Sequence, residues 1–340
     1  MRKGFVSPNI SHTMNPIATN IRPKMQSHVH LELSTSQETA TELVAVLIAV
    51  TNFSARVLTI QDGTLLPFGP LTPIHHSLQA GARAWVQQQT EQPLGYMEQL
   101  YTFVDIKRSQ DSGHPVVYIS YLGLVKEVDE QNLKLAAKWH DWYEYFPWED
   151  RRTKDAEQVC QQILPKIQNW VDSAASVYLR QARQQRMNLC WGLSNYDWLE
   201  ENTLLRYELM YEVGLIAESP YYDGRLPESI TGKAMHNHHR RVLATAMSRL
   251  RSKLQYRPVI FELMPPEFTL YQLQQSIQAL SGVELHKQNF RRLIHNQNLV
   301  EPTGKEAIPE RGRPAQLYRF KENVLQESLL SGYKLPIMNN

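Results

Sequence analysis

Residues 286–297, HKQNFRRLIHNQ, carry the side chains with the clearest chemistry in the chain. Phe290, Leu293 and Ile294 recur at helical spacing, and His286, Lys287, Gln288, Asn289, Arg291, Arg292 and His295 fill the opposite face. Ammonium and guanidinium groups hold phosphates, amides pair with base edges, and an α-helix fits the major groove of duplex DNA. Farther along, Lys305, Arg311 and Arg313 gather in GKEAIPERGRP, between two runs (299–303 and 315–320) that can pair as antiparallel strands. A hairpin there would bring Arg311 and Arg313 to the DNA backbone or minor groove.

Two histidine groups raise metal chemistry. His28 and His30 lack further ligands at useful spacing, and His236, His238 and His239 at a helix start point in different directions with no carboxylate beside them. Neither set is expected to bind a metal. After the second set, Leu243, Ala246, Met247, Leu250 and Leu254 form an apolar helical stripe, and Arg240, Arg241, Arg249, Arg251 and Lys253 are its charged counterpart. Their proximity to the segments above favours DNA contact over plain solvation.

The elements that must position these groups follow from pattern. Thr269 and Gln272 have capping-box spacing, and Leu270, Leu273, Ile277 and Leu280 give the inner face of a helix that stops at Ser281-Gly282. Helix, turn, helix and hairpin in that order is a winged helix-turn-helix. Toward the amino terminus, 43–50 and 55–60 read as strands, 61–63 as a turn, 65–71 as a loop, 77–89 as a helix, and 98–105 and 115–125 as strands. A polar loop with Lys107, Arg108 and Gly113 joins the last two. This is a small α+β domain. The segment 139–150 packs six aromatics into twelve residues and is read as packing rather than base stacking. Residues 155–187 and 200–213 are helical, suggesting a spacer or dimerisation element, and 221–229 a loop.

Charge agrees with this division. Of 340 residues, 36 are Lys or Arg and 34 Asp or Glu, but 233–321 hold 15 basic and 6 acidic residues, a net of +9, against −7 elsewhere. The carboxy-terminal part is built to meet a polyanion. Cys160 and Cys190 are too few for a disulfide scaffold, and no apolar run of spanning length occurs. A reducing, cytoplasmic setting with no membrane span or secretory signal is expected. Expected divisions are a loose arm over 1–38, the α+β domain over 39–137, a helical region over 138–229, a DNA-binding domain over 230–325 and a tail over 326–340.

Two stretches resemble one family, the Nudix-related transcriptional regulators of NAD metabolism, and within it the long NadQ type with a helical insertion. They are SRLRSKLQYRPVIFELMPPEFTLYQLQQSIQALSGVELHKQNFRRLIHNQNLVEPTG with GRPAQLYRF, and LLPFGPL through GYMEQLYTFVD. The resemblance implies a degenerate Nudix-like α/β/α domain, a helical insertion and a carboxy-terminal winged helix. It assigns Lys287, Gln288, Asn289, Arg291 and Arg292 to the recognition helix and Arg311 and Arg313 to the wing. It also implies a homodimeric bacterial repressor on operator DNA, with a nucleotide such as ADP-ribose or NAD as effector and no cofactor.

The catalytic Nudix motif departs from the family's active members. Aligned without a gap, Gly69, Arg83 and the hydrophobe Trp85 survive, but His75 and Ala84 replace glutamates, and Gln87 and Gln88 replace the paired glutamates. The alternative register places Gln88 and Gln89 there. Glutamine cannot supply the negative charge that gathers divalent cations, so hydrolysis is not expected. Arg56, Arg83, Lys107 and Arg108 are the candidates to hold nucleotide phosphates without metal, each with an ordinary bracing or surface role as the competing reading. A phosphohydrolase acting on NAD or ADP-ribose, and an RNA- or protein-binding module, are the alternative functions.

Overall fold

The computed structural model describes residues 39–321 apart from 96, 135, 257–258 and 308–313. The arm over 1–38, the tail over 326–340, Arg311 and Arg313 lie outside the described residues.

The run 43–50 becomes the middle of β1 (Ala40–Thr51), and its period-two alternation divides it between two cores. Leu43, Ala45, Leu47 and Ala49 face one, and Val44, Val46 and Ile48 face the other, all at most 1% exposed. A strand apolar on both faces belongs at the centre of a sheet covered on both sides. Its neighbours are β2 (Ser54–Ile60), antiparallel, and β5 (Val116–Leu124), parallel. β3 (Phe68–Pro70) also pairs with β1; β4 (Met97–Val104) and β6 (Ala137–Asp141) complete the order β4-β5-β1-β2-β6.

α1 (Leu78–Thr90) covers the first face through Ala82 and Val86. Ser77 caps it by accepting from the Ala80 amide. α2 (Ile106–Ser112) replaces the loop expected around Lys107 and Arg108. Ser109 makes it compact: its hydroxyl donates to the Asp105 carbonyl and accepts from the Val116 amide. Two strands also escape the sequence pattern. Pro67 and Pro70 make residues 65–71 read as a loop, yet β3 pairs as a short edge segment, where proline is tolerated. β6 is hidden at the start of the aromatic run.

α3 (Lys154–Asp172), α4 (Val177–Trp191), α5 (Thr203–Val213) and α6 (Glu228–Thr231) make up the middle block. It is no isolated spacer. Val159, Ile163, Ile167 and Val171 of α3 join the same core as Val46 of the sheet, Trp142, Phe146 and Trp148 of the aromatic run, and α7 (His239–Tyr256). All six aromatics of that run are buried, as the packing reading requires. Cys160 and Cys190 are free and buried, and burial pushes the Cys160 thiol up to about 11, so it is a packing residue rather than a nucleophile.

The winged helix follows: β7 (Phe268–Thr269), α8 (Leu270–Ser281), α9 (Lys287–Gln297), β8 (Val300–Ala307) and β9 (Ala315–Phe320), with strand order β7-β9-β8. The reciprocal Thr269–Gln272 capping box is present at α8. Gly282 ends that helix at φ +78°, and a Cβ there would lie 2.3 Å from the Glu149 carbonyl, so both conformation and space demand glycine. β8 runs past the expected end at 303 because the β8–β9 register shifts between Pro302 and Glu306, which lets the strand continue through Gly304. The α+β class, with an α/β/α core and a winged helix, is as expected.

Candidate functional site

α9 is seated by two residues one helical turn apart, Phe290 and Ile294, both buried. Leu293 is half-buried, while His286, Lys287, Gln288, Asn289, Arg291, Arg292 and His295 are exposed. Lys287, Arg291 and Arg292 form no ion pair with any described residue. Three cations and two amides therefore stand on one helix with their bonding capacity unused, the state that suits a helix meeting phosphates and base edges.

The basic residues of α7 behave otherwise, which corrects their reading as DNA contacts. Arg240 and Arg251 are at most 1% exposed. Arg251 donates to Glu149 at 2.5 Å and to the Leu280 carbonyl at 3.0 Å, and Arg206 of α5 grips the same carboxylate at 2.6 and 2.9 Å. Arg240 pairs with Glu218 at 3.1 Å, Arg241 with Glu208 at 2.5 Å, and Lys253 with Glu98. All four acids lie before residue 233, so these pairs offset part of the +9 counted over 233–321, although Glu149 also serves Arg206. Only Arg249 of the five is exposed. The basic character left for a polyanion is concentrated on α9.

The Glu149 cluster is the structural centre that spacing could not reveal. Burial pushes the Glu149 carboxyl up, but the Arg206 and Arg251 guanidiniums outweigh burial and hold it below the usual carboxylate range. Thr203 donates to it at 3.1 Å, and Tyr143, which accepts from Arg251 at 3.3 Å, donates to the Ala279 carbonyl at 2.7 Å. Burial raises the Tyr143 hydroxyl to about 12, so it remains a donor at neutral pH. The cluster joins the aromatic run, α5 and α7 to the carboxy-terminal end of α8. The helix that supports α9 is thereby fastened to the rest of the chain.

Of the four expected phosphate-binding residues, Arg83 and Arg56 are engaged by other parts of the chain. Arg83 braces the loop after α1, donating to the Gly95 carbonyl at 2.7 Å and the Leu94 carbonyl at 3.5 Å. Arg56 pairs with Glu127 and donates to the Trp139 carbonyl at 2.7 Å. Lys107 and Arg108 are on α2, their side chains outside the described residues.

α1 carries a concave site of about 370 Å³ on the face of Ala80, Ala84 and Gln88, walled by His75, Trp85 and Thr72. Gln87 and Gln88 are exposed, whereas Gln89 is tied to β3, accepting from the Phe68 amide at 3.0 Å and donating to the Phe68 carbonyl at 2.8 Å. Glu91 is 3.7 Å from Lys134, and Glu98 meets Lys253; neither lines this site. Among the described residues no group of three or more His, Cys, Asp or Glu could hold a metal ion. The buried member of the histidine set, His239, accepts from the Leu66 amide at 3.0 Å and packs edge-on against Phe68.

Trp85 was legible only as an apolar position, but the structure gives it a fixed seat. Its indole donates to the Pro70 carbonyl at 2.9 Å and lies so close to Gly69 that a Cβ there would come within 2.2 Å of the ring. Gly69→Ala is expected to displace Trp85 and cost about 1–3 kcal/mol. Thermal or urea unfolding measures it, and an unchanged transition would contradict this packing.

Among the described residues no helix is long and apolar enough to cross a membrane. Residues 260–320 match the family described as the NrtR DNA-binding winged helix domain. The chain is 42% identical over 82 residues to the ADPR responsive transcriptional repressor NtrR of Acinetobacter baylyi; the match takes in 24% of this chain and 32%, about a third, of that relative. Shewanella oneidensis NrtR, in a crystal structure complexed with a 27mer DNA, is similar at 19% identity and a TM-score of 0.49 over 86% of this chain and 99% of that one. A MutT/nudix family protein from Enterococcus faecalis is similar at 16% identity and a TM-score of 0.44 over 85% and 89%. The family likeness thus lies in the carboxy-terminal part of the chain, where residues 260–320 match the NrtR DNA-binding winged helix domain.

Proposed function

We propose that this chain is a homodimeric, DNA-binding repressor of NAD-metabolism genes that works in the bacterial cytoplasm, and that its Nudix-like domain senses a nucleotide without cutting it. The observation that carries the reading is α9: three cations and two amides exposed on one helix, the cations in no ion pair among the described residues, while four of the five basic residues of α7 are paired. The relative from Acinetobacter baylyi, named as ADPR responsive, supports ADP-ribose or a related nucleotide as effector. His286, Lys287, Gln288, Asn289, Arg291 and Arg292 would meet the duplex, with Arg311 and Arg313 from the segment between β8 and β9. A two-fold dimer would match a palindromic operator.

Mobility shift of the whole chain on a palindromic duplex and on its scrambled counterpart, at several salt concentrations, tests this. Preference for the palindrome that persists as salt rises is expected; equal, salt-labile binding to both marks phosphate contact alone and rejects the reading. Hydrolysis is a separate matter. The double substitution Gln87→Glu with Gln88→Glu is expected to leave no magnesium-dependent release of AMP from ADP-ribose, because His75 and Ala84 still withhold carboxylates. Turnover in that variant, or in the natural chain, would reverse the assignment.

A further inference from the structure

The site on α1 has the wrong chemistry for a phosphate–metal cluster and the right chemistry for a ring. We infer that it takes the planar nitrogen heterocycle of the nucleotide, stacked along α1 and read at its edge by Gln88. The inference rests on the proposal that the Nudix-like domain binds a nucleotide, and it specifies which part of that ligand meets α1.

Residues 80, 84 and 88 repeat every four positions and share one helix face. Ala80 and Ala84 present only methyl groups, leaving a shallow strip on which a flat group can lie. Two aromatic walls are held before any ligand arrives. Trp85 is fixed by its bond to the Pro70 carbonyl and by its contact with Gly69. His75 accepts from the Thr72 amide at 3.2 Å and meets the Trp85 ring edge-on at 6.2 Å between centroids. Held walls avoid the ordering cost of binding. The volume, about 370 Å³, is in the range of small-ligand sites.

Among the described residues no Asp, Glu, Lys or Arg lines the site. It offers no carboxylate cage for a divalent cation and no ammonium or guanidinium for a phosphate; its ionisable lining groups are the imidazoles of His75 and His76. Its one amide, Gln88, has a side chain that bonds to no described residue, although its backbone carbonyl accepts from Lys134. A primary amide supplies a donor and an acceptor side by side, matching the edge of an adenine amidine or of a nicotinamide carboxamide. The two rings share this chemistry, and binding measurements separate them.

The test is calorimetric titration of the whole chain with ADP-ribose, with nicotinamide mononucleotide and with ribose 5-phosphate, each in excess EDTA and again in magnesium. Binding of a ring-bearing ligand in EDTA, and none of ribose 5-phosphate, is expected; the tighter of the first two names the ring. Ala84→Glu, which places a charged chain across the strip, should weaken that ligand about tenfold or more. Gln88→Ala should weaken it by a smaller factor. Ala84 is exposed, so an unchanged circular dichroism spectrum shows that the variant is folded, and Gln88→Ala gives a second reading if it is not. Affinity that requires magnesium, or that both substitutions leave at the natural value, overturns the inference while sparing the nucleotide-sensing proposal. Failure of the natural chain to bind either nucleotide overturns both.

Discussion

Replacing Arg291 and Arg292 together with alanine is expected to abolish specific DNA binding while leaving the fold intact. Each guanidinium is exposed and has no partner among the described residues, so its removal strands no described buried group. A side chain that reads a base or holds a phosphate contributes roughly 1–3 kcal/mol, so the pair should cost about 2–6 kcal/mol, or some 30-fold and upward in affinity. If one of the two touches only phosphate, the slope of log affinity against log salt should fall by about one for it. The same two substitutions should shift the unfolding midpoint hardly at all. Equal loss of stability and affinity would mean that α9 supports the fold instead of meeting DNA.

Glu149→Gln is expected to be the most destabilising single change. It leaves Arg206 and Arg251 buried beside an uncharged amide, and breaking a buried pair by removing one partner costs about 3–5 kcal/mol. The effect depends on pH. The folded carboxyl lies below its ordinary value, so its contribution is complete above the unfolded carboxylate value of about 4.3 and is lost as pH falls through the lower folded one. Urea unfolding at pH 7 should therefore separate the variant widely from the natural chain, and the gap should narrow on acidification. A gap that stays constant down to acid pH would show that the carboxylate charge is not what the cluster uses. Because Arg251 and Tyr143 hold the carbonyls of Leu280 and Ala279, the loosened variant should also bind DNA less well.

What could be read from sequence was local. α9 shows itself because Phe290 and Ile294 are the seat and nearly everything else is polar; α8 shows itself through a capping box; β1 through a valine-rich run. What could not be read depends on partners far along the chain. Arg251 and Arg291 look alike in a charge count, and only the fold brings Glu149, 102 positions away, to the first of them. The middle helices likewise look like a spacer until Ile163 and Ile167 are placed in the core that begins at Val44. Arg83 and Arg56 were plausible phosphate ligands by type, but carbonyls and Glu127 already engage them. The α1 site escaped because its defining feature is small and uncharged: Ala84, at a position where a carboxylate helix would carry a ligand, beside Ala80 one turn earlier.

Selection of duplexes from a random pool by the whole chain, near physiological salt, tests the central claim most directly. Recovery of one short sequence repeated as an inverted pair, and lost when the Arg291→Ala, Arg292→Ala chain is used, is the predicted result. A recovered pool no different from the starting one, or the same sequence recovered by both chains, would contradict it.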